Sequence, residues 1–260
     1  MKRELLIFCV VVAACWAVAQ ETKTPAHEWS YEGKQSPKNW GDLNPDFATC
    51  KLGQQQSPID IRDAKKASLP SIQLNYKPSA LTVINNGHTV QVNYAPGSFI
   101  TVGDRRYELR QFHFHHPSEE LVDGKRYAME IHLVHADNDG HLAVVAVLLT
   151  KGNTNPVIQR LWDNLPKTEG KEESVEGIAV NAAALLPRPL GYYTFEGSLT
   201  TPPCSEGVTW FVMKTPLEVS ADQVEAFAKL YPHNARPIQP SNGRTITESE
   251  SAMAETGKNR

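Results

Sequence analysis

The sequence predicts a mainly β protein with a few short helices: a single domain around a large, mostly antiparallel twisted β-sheet. Runs rich in β-branched and aromatic residues follow one another at short spacing through the middle of the chain. Few segments have helical periodicity, and no change of composition marks a linker between domains. Because short turns join the predicted strands, we expect most neighbours in the sheet to be antiparallel.

Composition and charge set the limits of the domain. The chain has 260 residues, of which 40% are hydrophobic and 21% are charged, as in ordinary globular proteins. We expect one domain over residues 21–246, followed by a polar, disordered tail over residues 247–260. The net charge is -3 and no basic stripe is present, so the sequence does not favour a nucleic-acid partner.

The N-terminus has the pattern of an export signal. Lys2 and Arg3 precede an apolar run over residues 5–14, and Ala17-Val18-Ala19 supplies small residues for cleavage. We therefore predict a signal peptide over residues 1–19 and a periplasmic or secreted protein. The apolar run is shorter than the ~20 residues that span a bilayer, which disfavours a membrane anchor as the alternative.

The four cysteines divide between the signal and the mature chain. Cys9 and Cys15 lie in the signal, where Val12-Ala13-Ala14-Cys15 also resembles a bacterial lipoprotein signal; a lipid anchor at Cys15 ranks below simple cleavage. Cys50 and Cys204 remain, and two cysteines in an exported protein most simply form one disulfide. Two free thiols are the alternative, which an oxidising compartment disfavours.

The predicted elements follow in chain order. A hairpin joins residues 81–84 to residues 88–92 across Asn85-Asn86-Gly87. Further strands are predicted over residues 105–116, 126–136, 142–150 and 208–213, and a short helix over residues 157–165. Another helix begins after Ser220, where a capping box with Gln223 precedes apolar residues at helical spacing.

The densest cluster of histidines lies on the first of the long predicted strands. Side chains alternate along a strand, so Gln111, His113 and His115 share one face. Imidazoles two residues apart on one face can reach a common metal ion. The next predicted strand supplies a third ligand, His132, from an adjacent position in the sheet.

Three neutral histidines on a sheet suit a tetrahedral Zn²⁺ whose fourth position is open, which is typical of catalytic rather than structural zinc sites. Gln111 and Glu130 each precede a ligand by two residues on the ligand's own face. There they can accept the second ring N–H and fix the tautomer of the ligand. The pattern therefore predicts a catalytic zinc centre with two polar orienting groups.

Two other interpretations concern the same strands. His116 and His135 point to the opposite face and are interpreted as buried or hydrogen-bonded packing residues. A cupin metal site would use His113, His115 and Glu119. That motif requires a glycine six residues before its first histidine and further glycines that this chain lacks in register, so it ranks low.

Several motifs, in their order along the chain, resemble those of the α-class carbonic anhydrases. The motifs are Gln56-Ser57-Pro58-Ile59-Asp60-Ile61, Asn85-Asn86-Gly87-His88, residues 111–115, residues 130–135, residues 197–203 and residues 234–239. The resemblance runs from Trp29-Ser30-Tyr31 to Arg244-Thr245-Ile246, nearly the whole mature chain. It implies the α-carbonic anhydrase fold and the zinc-dependent, reversible hydration of carbon dioxide to bicarbonate and a proton.

The resemblance also implies roles for individual residues. The family's zinc ligands are matched by His113, His115 and His132. Thr200 matches the threonine that accepts a hydrogen bond from zinc-bound hydroxide and donates one to a buried glutamate, here Glu119. Thr200 and Thr201 match the groups that receive bicarbonate. His88 matches the histidine that shuttles the proton to solvent.

Further matching positions surround the zinc. The apolar wall that holds carbon dioxide is matched by Val134, Val144, Leu199, Val208 and Trp210. Asn234 matches the residue whose backbone carbonyl holds His115. Positions that organise water between the zinc and His88 are matched by Tyr31, Asn86 and Gln91. Cys50 and Cys204 match the disulfide of secreted members.

Two other functions remain as alternatives. One is a non-catalytic binding or storage protein on the same scaffold. Such relatives typically lack at least one zinc ligand, whereas this chain matches all three, so this alternative is disfavoured. A general zinc esterase is disfavoured because the confined apolar pocket suits a very small substrate. The sequence predicts no membrane span and leaves the oligomeric state open, with a homodimer as one option.

Overall fold

The computed structural model describes residues 28–166 and 168–250. The predicted signal peptide, with the lipid-anchor alternative at Cys15, lies outside these ranges. The described residues form sixteen strands and four α-helices. Thirteen of the strands belong to one sheet, which confirms the prediction of a mainly β fold with few short helices. No helix among the described residues is long and apolar enough to cross a membrane.

The elements are as follows. The strands are β1 (Asp60–Ile61), β2 (Lys65–Ala67), β3 (Ile72–Asn75), β4 (Ser79–Asn85), β5 (Val90–Asn93), β6 (Phe99–Val102), β7 (Arg105–His115), β8 (Leu121–Val122), β9 (Lys125–Arg126), β10 (Met129–Ala136), β11 (Leu142–Lys151), β12 (Glu172–Val180), β13 (Tyr192–Ser198), β14 (Glu206–Met213), β15 (Leu217–Val219) and β16 (Thr247–Ser249). The α-helices are α1 (Trp40–Leu43), α2 (Thr49–Leu52), α3 (Pro156–Trp162) and α4 (Ala221–Leu230). Short 3₁₀ helices lie at Gly33–Gln35, Pro37–Asn39, Pro45–Phe47 and Ala182–Leu185.

The large sheet is mixed and mostly antiparallel. Its main order is β12-β4-β5-β7-β10-β11-β14-β13-β16-β2, with β15 beside β11 and β6 between β3 and β7. The parallel pairs in this sheet are β11 with β14, β11 with β15, and β16 with β2. The predicted hairpin is present as the antiparallel pair β4 and β5. The expected architecture is therefore confirmed, with a few parallel neighbours added.

Strand β11 shows where the core lies. Val144 and Ala146 belong to the smaller of two large apolar clusters, whereas Val145 and Val147 belong to the larger one. Because neighbouring side chains on a strand point to opposite faces, the continuous apolar run of β11 is buried on both sides. Helices α3 and α4 pack on the face of the larger cluster. The functional site described below lies on the face of the smaller cluster.

The two predicted helices have clear start and stop signals. Ser220 caps α4 through the predicted capping box, in which the Ser220 hydroxyl accepts from the Gln223 amide at 3.2 Å. Helix α3 begins at Pro156 under an Asn155 cap and ends at Trp162, three residues earlier than predicted. A proline at position 166 disfavours helical geometry at residue 165, the last residue of the predicted range.

The C-terminal boundary of the domain lies later than expected. The predicted tail begins at residue 247, but Thr247–Ser249 form β16 and pair with β13 and β2. The Ser249 hydroxyl also accepts a hydrogen bond from the Tyr192 amide at 2.9 Å. Strand pairing uses backbone groups, so a polar composition does not prevent it. The expectation of a disordered tail is corrected at these residues, and residues 251–260 lie outside the described ranges.

Candidate metal centre and active site

Two neighbouring strands bring the three predicted histidines together. His113 and His115 lie on β7 and His132 lies on β10. The antiparallel register places His113 directly opposite His132 and places His115 opposite Glu130. One nitrogen of each histidine lies within 4.8 Å of the corresponding nitrogens of the other two. The sheet therefore presents three imidazoles to one small volume.

Hydrogen bonds fix the rings of the two β7 histidines. His113 Nδ1 lies 2.8 Å from Gln111 Oε1, and His115 Nδ1 lies 2.8 Å from the backbone carbonyl oxygen of Asn234. Because these oxygens accept, each Nδ1 carries the proton and each Nε2 keeps its lone pair. His115 Nε2 is buried and has no hydrogen-bond partner. A metal ion would satisfy this nitrogen.

Three carboxyl groups surround His132. Its Nε2 lies 3.6 Å from Glu130 Oε1 and 3.6 Å from Glu120 Oε2. Its Nδ1 lies 3.9 Å from Glu119 Oε2, the same oxygen that lies 3.4 Å from His115 Nε2. Of the two ring nitrogens of His132, Nδ1 is therefore the one on the side of the β7 histidines. The predicted partner Glu130 is in place, but at a distance longer than a hydrogen bond.

The charges at the centre suit a bound cation. Burial, together with His132, lowers the pKa of His113 to about 3, and burial holds the pKa of His115 well below its ordinary value. Both rings are therefore neutral near pH 7, the form that binds metals. Burial also lowers the pKa of His132, but the carboxyl groups of Glu120 and Glu130 outweigh it and raise that pKa to about 10. These carboxyl groups favour positive charge at the centre.

The donor set fits zinc. Three imidazoles converge, the two on β7 hold their lone pairs free, and no carboxyl group is needed to complete the set. An all-nitrogen set of three ligands with an open side is the arrangement of catalytic zinc sites. The residues predicted as ligands are therefore the residues that the structure assembles.

Glu119 lies beside the histidines and is completely buried. Its Oε1 accepts a hydrogen bond from the backbone amide of Arg236 at 2.7 Å. Burial raises the pKa of Glu119 to about 7, against the lowering effects of His132, the Arg236 amide and a hydrogen bond from Thr200. Thr200 is itself only 6% exposed. Thr200 therefore lies near the glutamate that the resemblance implies as its partner.

An apolar surface lies against the third histidine. It belongs to an apolar cluster that includes the five residues that the resemblance singled out: Val134, Val144, Leu199, Val208 and Trp210. The ring of Trp210 meets that of His132 edge to face, with their centroids 5.0 Å apart. The Trp210 Nε1–H donates to the Ser198 carbonyl at 3.2 Å, so the indole presents carbon rather than a free donor to its surroundings.

A cleft of about 130 Å³ leads to the centre. Its lining consists of Trp29, Tyr31, Asn86, His88, Thr89, Gln91, Gln111, His113, His115 and Thr201. The ring of His88 stacks on that of Trp29, with centroids 3.7 Å apart and planes 7° apart. His88 therefore shares the cleft with His113 and His115, two of the three converging histidines.

The polar residues of the cleft make specific contacts. Asn86 Oδ1 accepts from the backbone amides of His88 and Thr89 at 3.0 and 2.9 Å, so it fixes the turn that carries His88. Gln91 Nε2 donates to Asn93 Oδ1 at 2.7 Å. Burial and the charge of nearby Glu119 raise the pKa of Tyr31 well above its ordinary value, which keeps this phenol protonated.

The two histidines predicted to lie outside the site do so. His116 Nδ1 lies 3.0 Å from the carbonyl oxygen of Pro232. His135 is completely buried, and its Nε2 lies 2.5 Å from the hydroxyl oxygen of Tyr76. Both are hydrogen-bonded packing residues.

Three residues near the site were not singled out from the sequence. Trp29 stacks on His88, Glu120 faces His132, and the buried Arg236 donates to the backbone carbonyls of Ser57 and Cys50 at 2.7 and 3.0 Å. Arg236 follows Asn234 by two residues and Glu120 directly follows Glu119. Closeness in the sequence to Asn234 and Glu119 could therefore have indicated Arg236 and Glu120.

The fold and the site define a mainly β protein whose sheet carries three histidines able to hold a metal ion. Residues 35–250 match the family described as eukaryotic-type carbonic anhydrase. The chain is 46% identical over 237 residues to a carbonic anhydrase of Nostoc sp., covering 89% of this chain and 90% of the relative. It is 42% identical over 247 residues to that of Pectobacterium carotovorum, covering 95% and 99%.

The solved structures agree. The structure of a hyperthermostable carbonic anhydrase from an active hydrothermal vent chimney aligns with a TM-score of 0.83 at 48% identity, over 85% of this chain and 100% of that one. The chain therefore belongs to the α-class carbonic anhydrase family. It is one of the family's enzymes, the carbonate dehydratases.

Proposed function

We propose that this protein interconverts carbon dioxide and bicarbonate with a Zn²⁺ held by His113, His115 and His132. The observation that carries the proposal is the convergence of these three rings beside the Thr200–Glu119 pair. When bound, Zn²⁺ supplies a Lewis acid that acidifies a coordinated water, chemistry for which carbonic anhydrases are the standard example. The residues of the chain supply orientation, a dry surface and a route for the proton.

Thr200 orients the attacking oxygen. When its hydroxyl hydrogen points to the buried Glu119, only the oxygen lone pairs face the cleft. The hydroxyl can then accept a hydrogen from the attacking oxygen and turn that oxygen's lone pair toward the substrate. Thr201, which lines the same cleft, and the Thr200 amide are placed to receive the negatively charged product.

The apolar surface around Trp210 suits carbon dioxide. The substrate has no charge and no hydrogen to donate, so it gains little from polar groups and competes poorly with water for them. The buried side chains of Val144, Val208 and Trp210 offer no polar atom to water. They favour the small apolar substrate beside the centre and disfavour a bulky ester.

His88 moves the proton released in the reaction. Imidazole is the side-chain group suited to accept and release a proton near neutral pH. The turn fixed by Asn86 and the stacking on Trp29 hold His88 in the cleft. From there, water can connect it to the centre on one side and to buffer on the other.

We also infer that the protein is exported. The Cys50–Cys204 disulfide supports this, because such bonds persist in oxidising compartments. The pattern of residues 1–19 supports it independently. The mass of the mature protein from its native host decides between cleavage near Ala19 and a lipidated Cys15.

The proposed function is tested by zinc content and CO₂ hydration, measured together on the purified mature protein. We expect one zinc per chain and hydration that is lost on chelation and restored by zinc. His115→Ala should lose both zinc and activity, because two ligands do not hold the ion in an open site. The neighbouring His116→Ala, outside the cleft, is the matched control. A zinc-loaded wild-type protein without hydration activity would refute the proposal.

A further inference from the structure

Glu120 is a buried carboxyl group that the function described above does not use. Glu120 is 0% exposed, and neither of its side-chain oxygens has a hydrogen-bond partner. An unpartnered buried carboxyl group is costly for a fold, since water would have solvated it in the unfolded chain. Its presence therefore calls for a role other than stabilising the sheet.

The surroundings of Glu120 point to His132. Glu120 Oε2 and Glu130 Oε1 lie at the same distance, 3.6 Å, from His132 Nε2. The other oxygen of Glu130 accepts from the backbone amides of Glu119 and Glu120, at 2.8 and 3.1 Å. Glu130 is therefore fixed in place, and the ring nitrogen of His132 lies between two carboxyl groups rather than against one.

We propose that Glu120 is a second positioning residue for the metal centre, which holds His132 through Nε2 together with Glu130 and thereby increases the retention of zinc. The inference rests on the proposed zinc site. A carboxyl oxygen behind a ligand imidazole fixes the ring orientation and makes the opposite nitrogen a stronger donor. Removing such an outer group typically weakens metal binding about 10- to 100-fold.

A purely structural role for Glu120 makes the opposite prediction. If the carboxyl group supported the fold, its replacement would lower the stability of the metal-free protein and leave the intrinsic zinc affinity unchanged. If it serves the centre at a cost to the fold, an apolar side chain of similar volume should leave the metal-free protein as stable or more stable. A structural role therefore predicts a less stable metal-free protein with unchanged zinc affinity. A role at the metal centre predicts weaker zinc binding with no loss of stability in the metal-free protein.

The test compares Glu120→Met with the wild-type protein in two measurements. Competition with a chelator gives the zinc dissociation constant, which should rise at least about 10-fold. Thermal unfolding of the metal-free protein should show a Tm no lower than that of the wild type. Glu120→Gln, which keeps an acceptor oxygen at the same position, should recover most of the zinc affinity. Glu108→Met is the matched control, because Glu108 lies farther along β7 and accepts from the Gly97 amide instead.

Each outcome decides the inference. A Glu120→Met protein that keeps wild-type zinc affinity, or that loses Tm without zinc, overturns it. Glu120→Leu repeats the test if the methionine variant does not fold, and failure of both to fold also overturns it. If the wild-type protein binds no zinc, the proposed function fails as well, which is distinct from a defect confined to the Glu120 variants.

Discussion

Thr200 illustrates how the surroundings of one side chain determine its chemistry. It lies beside the completely buried Glu119, the group to which we propose that its hydroxyl donates, and Glu119 is itself held by the Arg236 amide. Thr200→Ala removes the hydroxyl oxygen and leaves the three proposed zinc ligands intact. We expect zinc content to stay normal and the CO₂ hydration rate to fall by roughly 10²-fold, the usual scale for one positioned hydrogen-bonding group.

Thr200→Ser is the control for this prediction. It keeps the hydroxyl and loses only a methyl group, so stopped-flow hydration rates should stay close to those of the wild type. Equal rates for the alanine and serine variants would show that the hydroxyl has no part in the reaction.

His88 should act after the attack on carbon dioxide. His88→Ala is expected to lower kcat while leaving kcat/KM almost unchanged, because kcat/KM reports the steps up to the attack. Imidazole buffer should restore much of kcat, since a free base can collect the same proton. His141→Ala, an exposed histidine between β10 and β11, should change neither parameter. An equal fall in both parameters without rescue would point to a disturbed cleft instead.

The convergence of the three histidines was predictable at the residue scale, whereas their surroundings were only partly so. Strand alternation alone placed His113 and His115 on one face. The contact of Glu120 with His132 depends on the loop between β7 and β8, whose course no periodicity reveals. The Arg236 amide reaches Glu119 across 117 positions of sequence, which only the tertiary fold brings together.

At the scale of elements, regular segments were predicted well and their ends less well. Strands β7, β10 and β11 are close to the predicted ranges, because their apolar and alternating patterns are long. The predicted strand over residues 126–136 is divided, since Lys125–Arg126 pair with β8 in a separate small sheet. Short segments such as β16 have no pattern of their own and form only where neighbours offer backbone partners.

The Cys50–Cys204 disulfide joins α2 to the segment that follows Thr200 and Thr201. The Cys204 amide donates to the Thr201 carbonyl at 2.9 Å, so the bridge also steadies the loop beside the centre. The bond spans 154 positions, and the chain-entropy model gives an upper limit of about 5 kcal/mol for its contribution to the free energy of unfolding.

The double variant Cys50→Ser/Cys204→Ser should therefore have a lower Tm than the wild type without unfolding at room temperature. Reductant should lower the Tm of the wild type and leave that of the double variant unchanged, which is the internal control. Two alkylatable thiols in the unreduced mature protein would remove the basis of the prediction.

At the scale of the whole molecule, the sequence indicated a large sheet but not its strand order. The parallel contact of β11 with β14 joins strands separated by more than fifty residues. It places Val144 beside Trp210, which completes the apolar surface next to His132. Sequence patterns indicate which face of a strand is buried, but they do not identify the strand beside it.

His135 should make the stability of the whole molecule depend on pH. Burial lowers its pKa to about 4, whereas the unfolded chain has an ordinary value near ~6.5. Between these two pKa values the unfolded state therefore binds more protons than the folded state. The contribution of neutral His135 to the free energy of unfolding is complete above pH ~6.5 and is lost as pH falls toward 4. At pH 5 the loss should be about 2 kcal/mol of unfolding free energy relative to pH 7.5.

The comparison that isolates this effect is His135→Gln, which keeps a hydrogen-bonding group near the Tyr76 hydroxyl but does not titrate. Urea unfolding from pH 7.5 to 5, with chelator present so that zinc release does not contribute, should show a steeper loss of stability for the wild type. The other buried histidines are common to both proteins, so their contribution cancels in the difference. Parallel pH curves for the two proteins would show that His135 is not the group responsible, and that the acid sensitivity of the fold arises elsewhere.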